Sequence, residues 1–426
     1  MSLKASIIPA DGALRRPAHE PSATPWTVRL ARKLVTQQLR ELAIGELIMV
    51  EHGTRKRFGR AGSELAVTVE ILSENVWTDI AFGGTVGAGE AYINGYWRCD
   101  NLTALVRIMV VNAELLSSLE KGWAWLSTPV MRLLHFMSRN TKDGSRRNIA
   151  AHYDLGNELF ALFLDETMAY SCGIFERADA TLYEASIAKF ERICRKLQLS
   201  PTDHLLEIGT GWGGLAIHAA RHYGCRVTTT TISREQHALA TAKIAAAGLT
   251  DRVQVLLEDY RDLGGQYDKL ASIEMVEAVG HEYLDTYFRK CSTLLQPNGM
   301  MLLQAITIRD QLYAAALGSV DFIQRFIFPG SFIPCVAALS SSIQRATDMK
   351  VFDLVDIGPH YATTLRRWRE AFFARLDEVK ALGYSDAFVR LWEYYLCYCE
   401  GGFIERQLGD VQMLLTKPRA TPSARA

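Results

Sequence analysis

No apolar run in this chain approaches the ~18 residues that a membrane-spanning helix needs, so any contact with a bilayer is expected to be peripheral. The opening stretch MSLKASIIPADGALRRPAHEPSATPW lacks the apolar core of a secretion signal, and a cytoplasmic location follows as the expectation. No Cys-x-x-Cys pair and no histidine–cysteine cluster of zinc spacing occurs, so no metal site is expected. The 8 cysteines are scattered, as buried thiols in a reducing compartment would be. A net charge is missing too: 47 Lys and Arg balance 47 Asp and Glu, which gives no electrostatic case for nucleic acid.

What is present is a globular composition of 426 residues, 49% apolar and 22% charged, long enough for two or three domains. Residues 1–25 are rich in Pro and Ala and read as a disordered tail, as do residues 419–426. An amphipathic helix is expected over 26–42. Val28, Ala31, Leu34, Val35 and Leu42 recur at helical spacing, with Arg29, Arg32, Lys33 and Arg40 among them. The short runs GELIMVEHG, LAVTVEIL and WTDIAFGG then read as strands, so 26–118 is expected to be a small α+β domain. Residues 119–147 read as a helical connector, aromatic at first and basic at the end. Together with helix 26–42 it is a candidate for docking on a membrane surface. Phe322, Phe326, Phe328 and Phe332, around Pro329 and Gly330, suggest an apolar lid or the lining of an acyl channel.

Residues 148–418 alternate strand and helix patterns. This predicts a doubly wound α/β fold with a seven-stranded, mostly parallel sheet. Ligands of such sheets bind beyond the carboxyl ends of the strands, at the turn after the first one. Here that turn is LLEIGTGWGGLA, where Gly209, Gly211, Gly213 and Gly214 permit a tight turn and a close ligand. Glu207 stands just before it, and a carboxylate there suits an amine-bearing cation better than a pyrophosphate. A dinucleotide site would also want an acid at the end of the second strand, yet TTTTISREQ offers hydroxyls and Gln236 there. S-adenosylmethionine is therefore the expected ligand, with Asp259 in EDYRD placed to hold an adenine amino group.

The motifs HYDLGNELF, MAYSCGIF, LEIGTGWGGLA, TISREQ, DYRDL, VEAVG, FIFPGSFIP and HYATTL follow one another in register over residues 146–417. In this order they resemble the cyclopropane fatty acid synthases and related lipid methyltransferases. The N-terminal part, with GEAYINGYW, looks like the accessory lipid-binding domain of full-length members. The resemblance implies methyl transfer from S-adenosylmethionine to a cis double bond of an unsaturated phospholipid acyl chain, at the inner face of the cytoplasmic membrane, by a homodimer. It extends the cofactor set to Tyr170, Ser171, Gly209, Gly211, Thr231, Ser233, Gln236, Asp259, Tyr260 and Ile273. It also implies a bicarbonate ion as general base, with ligands matching Cys172 (through its backbone), Glu277, Ile306 and Tyr361. A further ligand in the family is histidine, where this chain has Gln304.

Gln304 donates an N–H but cannot take up a proton. Ala278 also stands where FEHVG-type members have histidine. Both changes leave the fate of the cation open. It can close to a cyclopropane, or yield a methylene branch that a flavin reductase partner would saturate. Two other readings stay open at this level: a methyltransferase for a soluble small molecule, and a lipid-binding protein with an inactive site.

Overall fold

A computed structural model describes residues 25–113 and 155–422. The connector expected over 119–147 lies outside the described residues. By its internal contacts the chain forms two compact units: residues 1–137, 319–329 and 380–405 in the first, and 138–318, 330–379 and 406–426 in the second. This corrects the expectation of one continuous domain over 148–418, since two of its segments join the N-terminal unit.

The first unit holds a four-stranded sheet: β1 (Glu46–Glu51), β2 (Thr54–Gly59), β3 (Ala66–Ile71) and β4 (Trp97–Cys99), in the order β2-β1-β3-β4. β1 and β2 make a hairpin across His52 and Gly53, both at positive φ, as a two-residue turn of matching twist requires. The first helix, Trp26–Leu39, buries Val28, Ala31, Val35 and Leu39. It packs on the helix Asn75–Ile93. Its apolar stripe is thus used inside the unit, and Arg32 is paired with Glu51. WTDIAFGG, expected as a strand, lies in the helix Asn75–Ile93, which kinks at Gly84 (φ 56°, ψ −135°). The pair Gly83–Gly84 interrupts the apolar period, so the segment has no clean helical signature.

The helix Asp386–Ile404 belongs to this unit and is fixed by polar bonds. Thr103 donates to Glu400 (2.9 Å), Arg107 to Glu405 (2.5 Å) and Tyr92 to Glu393 (2.8 Å). Phe322 is buried with its ring 4.5 Å from that of Tyr394. The proposed lid is therefore not a free flap: Phe322 is core in the first unit, and Phe332 is core in the second.

The second unit carries β5 (His204–Ile208), β6 (Arg226–Thr231), β7 (Val253–Leu257), β8 (Tyr267–Ile273), β9 (Leu295–Ile308), β10 (Lys350–Asp356) and β11 (Leu408–Thr416). Their order is β10-β11-β9-β8-β5-β6-β7, and only β11 runs antiparallel to its neighbours. The chain order reverses beside β5, which places the crevice at the end of that strand. Apolar side chains of β5, β8, β9 and β11 fill the core on both faces of the sheet.

Gly89 is a sensitive point of the first unit. A Cβ there would lie 2.6 Å from the ring of Phe322 and 3.1 Å from that of Tyr394. Gly89→Ala is expected to destabilise the unit by about 1–3 kcal/mol, read as a lower midpoint in equilibrium denaturation.

Candidate active site

The glycine-rich turn after β5 is open on the ligand side. Gly209, Gly211 and Gly213 all have positive φ, and a Cβ at Gly211 would meet nothing within 4 Å. Below the turn, the buried Glu207 accepts from Thr229 on β6 (2.6 Å), which in turn bonds Thr210 (2.7 Å). Burial pushes the Glu207 carboxyl up to about 8, so an approaching cation would restore its charge. At the end of β6, Thr231 donates to the Gln236 carbonyl (2.8 Å), and Ser233 caps the following helix. Asp259 is buried and bound by Arg261 through both carboxylate oxygens (2.8 and 2.6 Å), a partner the sequence reading did not name. Arg261 also lies over the ring of Tyr260. Tyr170 packs against Trp368 (centroids 5.1 Å), and Ser171 accepts from the buried Lys189 (2.5 Å).

The five residues expected to carry the chemistry come together, but around two acids rather than one. Glu277 lies in a short 3-10 turn and accepts from the Ile306 backbone N–H (2.6 Å). The acid that gathers the other three is Glu274, directly after β8, which the sequence reading passed over. Its Oε1 accepts from the Cys172 backbone N–H (2.9 Å) and from Gln304 Nε2 (2.8 Å), and its Oε2 from the Tyr361 hydroxyl (2.6 Å). Ile273, just before it, pairs in register with Gln304 on β9.

Gln304 is 0% exposed and fully engaged. Besides Glu274, its Nε2 donates to Asp410 Oδ2 on β11 (3.0 Å), and its carbonyl accepts from Gln412 (3.1 Å). Arg192 donates to the Gln412 carbonyl (3.0 Å), which fixes that amide's orientation. The reverse orientation of Gln304 would set its carbonyl against two acids. Asp410, Gln412, Arg192 and Lys189 also escaped the sequence reading. The available signal was the polar alternation Asp410, Gln412 in the apolar strand GDVQMLL, which the register places opposite Ile306 and Gln304.

Burial dominates the electrostatics. It pushes the Glu277 carboxyl up to about 8, aided by the nearby charge of Glu274, and Asp410 well above the usual range for the same reasons. It pushes the Lys189 ammonium down. The Cys172 thiol is pushed well up by burial and by its acidic neighbours, which excludes a thiolate nucleophile. Among the described residues no group of His, Cys, Asp and Glu is disposed to hold a metal ion.

The sequence pattern of the mycolic acid cyclopropane synthetase family matches residues 140–413, more than half of the chain. The chain belongs to this family. Relatives include the tuberculostearic acid methyltransferase UfaA1 of Mycobacterium tuberculosis, 39% identical over 78% of this chain and 79% of that protein. The cyclopropane-fatty-acyl-phospholipid synthase of Escherichia coli K12 is 36% identical over 78% of this chain and 84% of that protein. Among solved structures, the mycolic acid cyclopropane synthase CmaA1 complexed with SAH and CTAB covers 64% of this chain and 98% of its own, at TM-score 0.60 and 32% identity. Coclaurine N-methyltransferase, at 19% identity and TM-score 0.60, shares the fold. This synthetase-family protein thus has the doubly wound methyltransferase fold and is an S-adenosylmethionine-dependent lipid methyltransferase.

Two measurements follow from the site. A raised acid holds its proton in the folded state after the unfolded chain has lost it. The contribution of Glu277 is therefore full below about 4.5 and is lost as pH rises to about 8. Glu277→Gln is expected to flatten the fall of thermal stability across that window by on the order of 1 kcal/mol per pH unit. Gln304→Leu leaves Glu274 and Asp410 without a shared donor. A loss of about 2–4 kcal/mol is expected in chemical denaturation.

Proposed function

We propose that this synthetase-family protein methylates the cis double bond of an unsaturated acyl chain carried by a phospholipid, giving a cyclopropane or a methylene-branched chain. The observation that carries the reading is a dry cluster of acids and amides set beside the glycine-rich turn: Met275, next to Glu274, lies 3.4 Å from where a Cβ of Gly209 would stand. An alkene has no acidic proton to remove first, so the chain's groups are needed after methyl transfer. They must stabilise positive charge, exclude water and remove one proton. The acids offer negative charge, and Tyr170, Tyr361 and Trp368 offer aromatic faces to a cation.

S-adenosylmethionine, when bound, supplies an electrophilic methyl group on a sulfonium. Glu207, the turn at Gly209 and Gly211, the Thr231–Ser233–Gln236 cluster, Tyr170, Ser171, Asp259, Tyr260 and Ile273 would hold it. They fit: the turn is open at Gly211, and the buried acid beneath it matches a cation. Bicarbonate fits less well. The donors assigned to it by resemblance are already used, three by Glu274 and the fourth, from Ile306, by Glu277.

Among the described residues no helix is long and apolar enough to cross a membrane. The substrate would be reached at the inner face of the cytoplasmic membrane by peripheral docking, with the protein acting as a homodimer. A flavin-dependent reductase would follow only if the product is a methylene branch. The test is incubation with vesicles of cis-unsaturated phospholipid and deuteromethyl S-adenosylmethionine. Lipid carrying an added carbon with two deuterons is expected, and proton NMR then separates ring from methylene. No mass increase in any such lipid, with turnover of a water-soluble amine instead, would sink the lipid reading.

A further inference from the structure

The set of donors that the family resemblance gives to a free anion is, in this chain, closed around a carboxylate of its own. Cys172, Gln304 and Tyr361 come from three separate segments, yet all three aim at the Glu274 oxygens, at 2.6–2.9 Å. Three donors on one planar O–C–O group are what a bound bicarbonate would ask for, and a glutamate carboxylate presents the same shape and charge. The backbone reinforces the point. Glu274 has φ 48°, a conformation that costs a residue with a Cβ about 1–2 kcal/mol and that glycine adopts freely. Strain of this kind persists where the surroundings hold a side chain for a purpose.

The other two acids are poorer candidates for a base. Glu277 Oε2 and Asp410 Oδ1 are buried with no hydrogen-bond partner. Burial pushes both carboxyls up, Glu277 to about 8 and Asp410 well above the usual carboxylate range, which favours the form that cannot accept a proton. Glu274 alone of the three is reached by three donors.

We propose that Glu274 is the general base of the reaction, taking the place of a diffusible anion. Resting on the lipid methylation argued above, the step is a single proton transfer. A C–H bond of the newly attached methyl group breaks and an O–H bond forms on Glu274. The freed electron pair bonds to the cationic carbon and closes the ring, leaving a neutral chain. If a hydride first moves to the cationic carbon, the same proton transfer gives the methylene branch. No oxidant or reductant enters. Gln304 and Tyr361 are positioning residues that hold the carboxylate.

The experiment compares the full-length wild type with Glu274→Gly and Glu274→Gln on cis-unsaturated phospholipid vesicles. It is run in CO2-depleted buffer, with and without added sodium bicarbonate. S-adenosylmethionine affinity and thermal midpoint are measured alongside. Wild-type turnover is expected to be indifferent to bicarbonate. Both variants are expected to lose about 100-fold or more in turnover. Their S-adenosylmethionine affinity should stay near wild type, while Glu274→Gly, which leaves three buried donors without their acceptor, should melt lower in depleted buffer and regain part of the loss with bicarbonate. Bicarbonate is expected to restore Glu274→Gly, which opens the anion cradle, and not Glu274→Gln, whose amide still fills it. Wild-type turnover that collapses without bicarbonate would overturn the proposal, as would near-wild-type turnover of Glu274→Gly in depleted buffer. Parallel loss of cofactor affinity and turnover would also overturn it, marking a merely structural residue. A wild type inert on every lipid would overturn both this proposal and the lipid reading beneath it.

Discussion

The amide of Gln304 holds two acid side chains with one nitrogen, and the rest of the site is arranged around that demand. Glu274 and Asp410 both accept from Nε2, while Glu277 lies close enough for the charge of Glu274 to raise it. Three ionised carboxyls in so dry a space would be untenable, since each buried charge costs several kcal/mol even after relaxation. The structure concentrates its donors on Glu274, while burial pushes the Glu277 and Asp410 carboxyls up. Lys189 sits within reach of this field, buried and hydrogen-bonded to Ser171. A histidine at position 304 could itself gain charge. A glutamine cannot, so the charge of the cluster is set by its acids and by Lys189 alone.

This economy suits a reaction that creates a cation. Fixed negative charge and fixed dipoles need no reorganisation when positive charge develops beside them. The same dryness that raises Glu277 and Asp410 would keep water from capturing the cation of the proposed reaction. An anchored base also differs from a bound ion in one physical respect: its position is set by covalent geometry and three donors, so it needs no occupancy. The strained φ of Glu274 is the corresponding cost within the folded state.

Much of the second unit was legible because its signals are local. Strand and helix patterns alternate along it, and LEIGTGWGG marks the first crossover without ambiguity. The first unit was harder. WTDIAFGG carries too few residues to separate a period of two from one of 3.6, and Gly83–Gly84 blur it further. The helix Asp386–Ile404 was recognisable as a helix, but periodicity says nothing about its neighbour. Glu393, Glu400 and Glu405 find Tyr92, Thr103 and Arg107, residues some three hundred positions away, and no sequence window contains that information.

The site shows the same division more sharply. Cys172, Glu277 and Tyr361 were found because they sit inside motifs, Gln304 and Ile306 through the resemblance those motifs carry, and the fold does bring the five together. Glu274 lies in the same stretch, SIEMVEAVG, three residues before Glu277, and side-chain type alone gives no reason to prefer one over the other. The choice is made by the backbone. Immediately after β8 the chain turns through a left-handed conformation at Glu274, and this sends its carboxylate toward Cys172, Gln304 and Tyr361 while Glu277 is left to the Ile306 amide. A glutamate tolerates that conformation only where its side chain is held. The same three hydrogen bonds that explain the strain therefore also identify the acid.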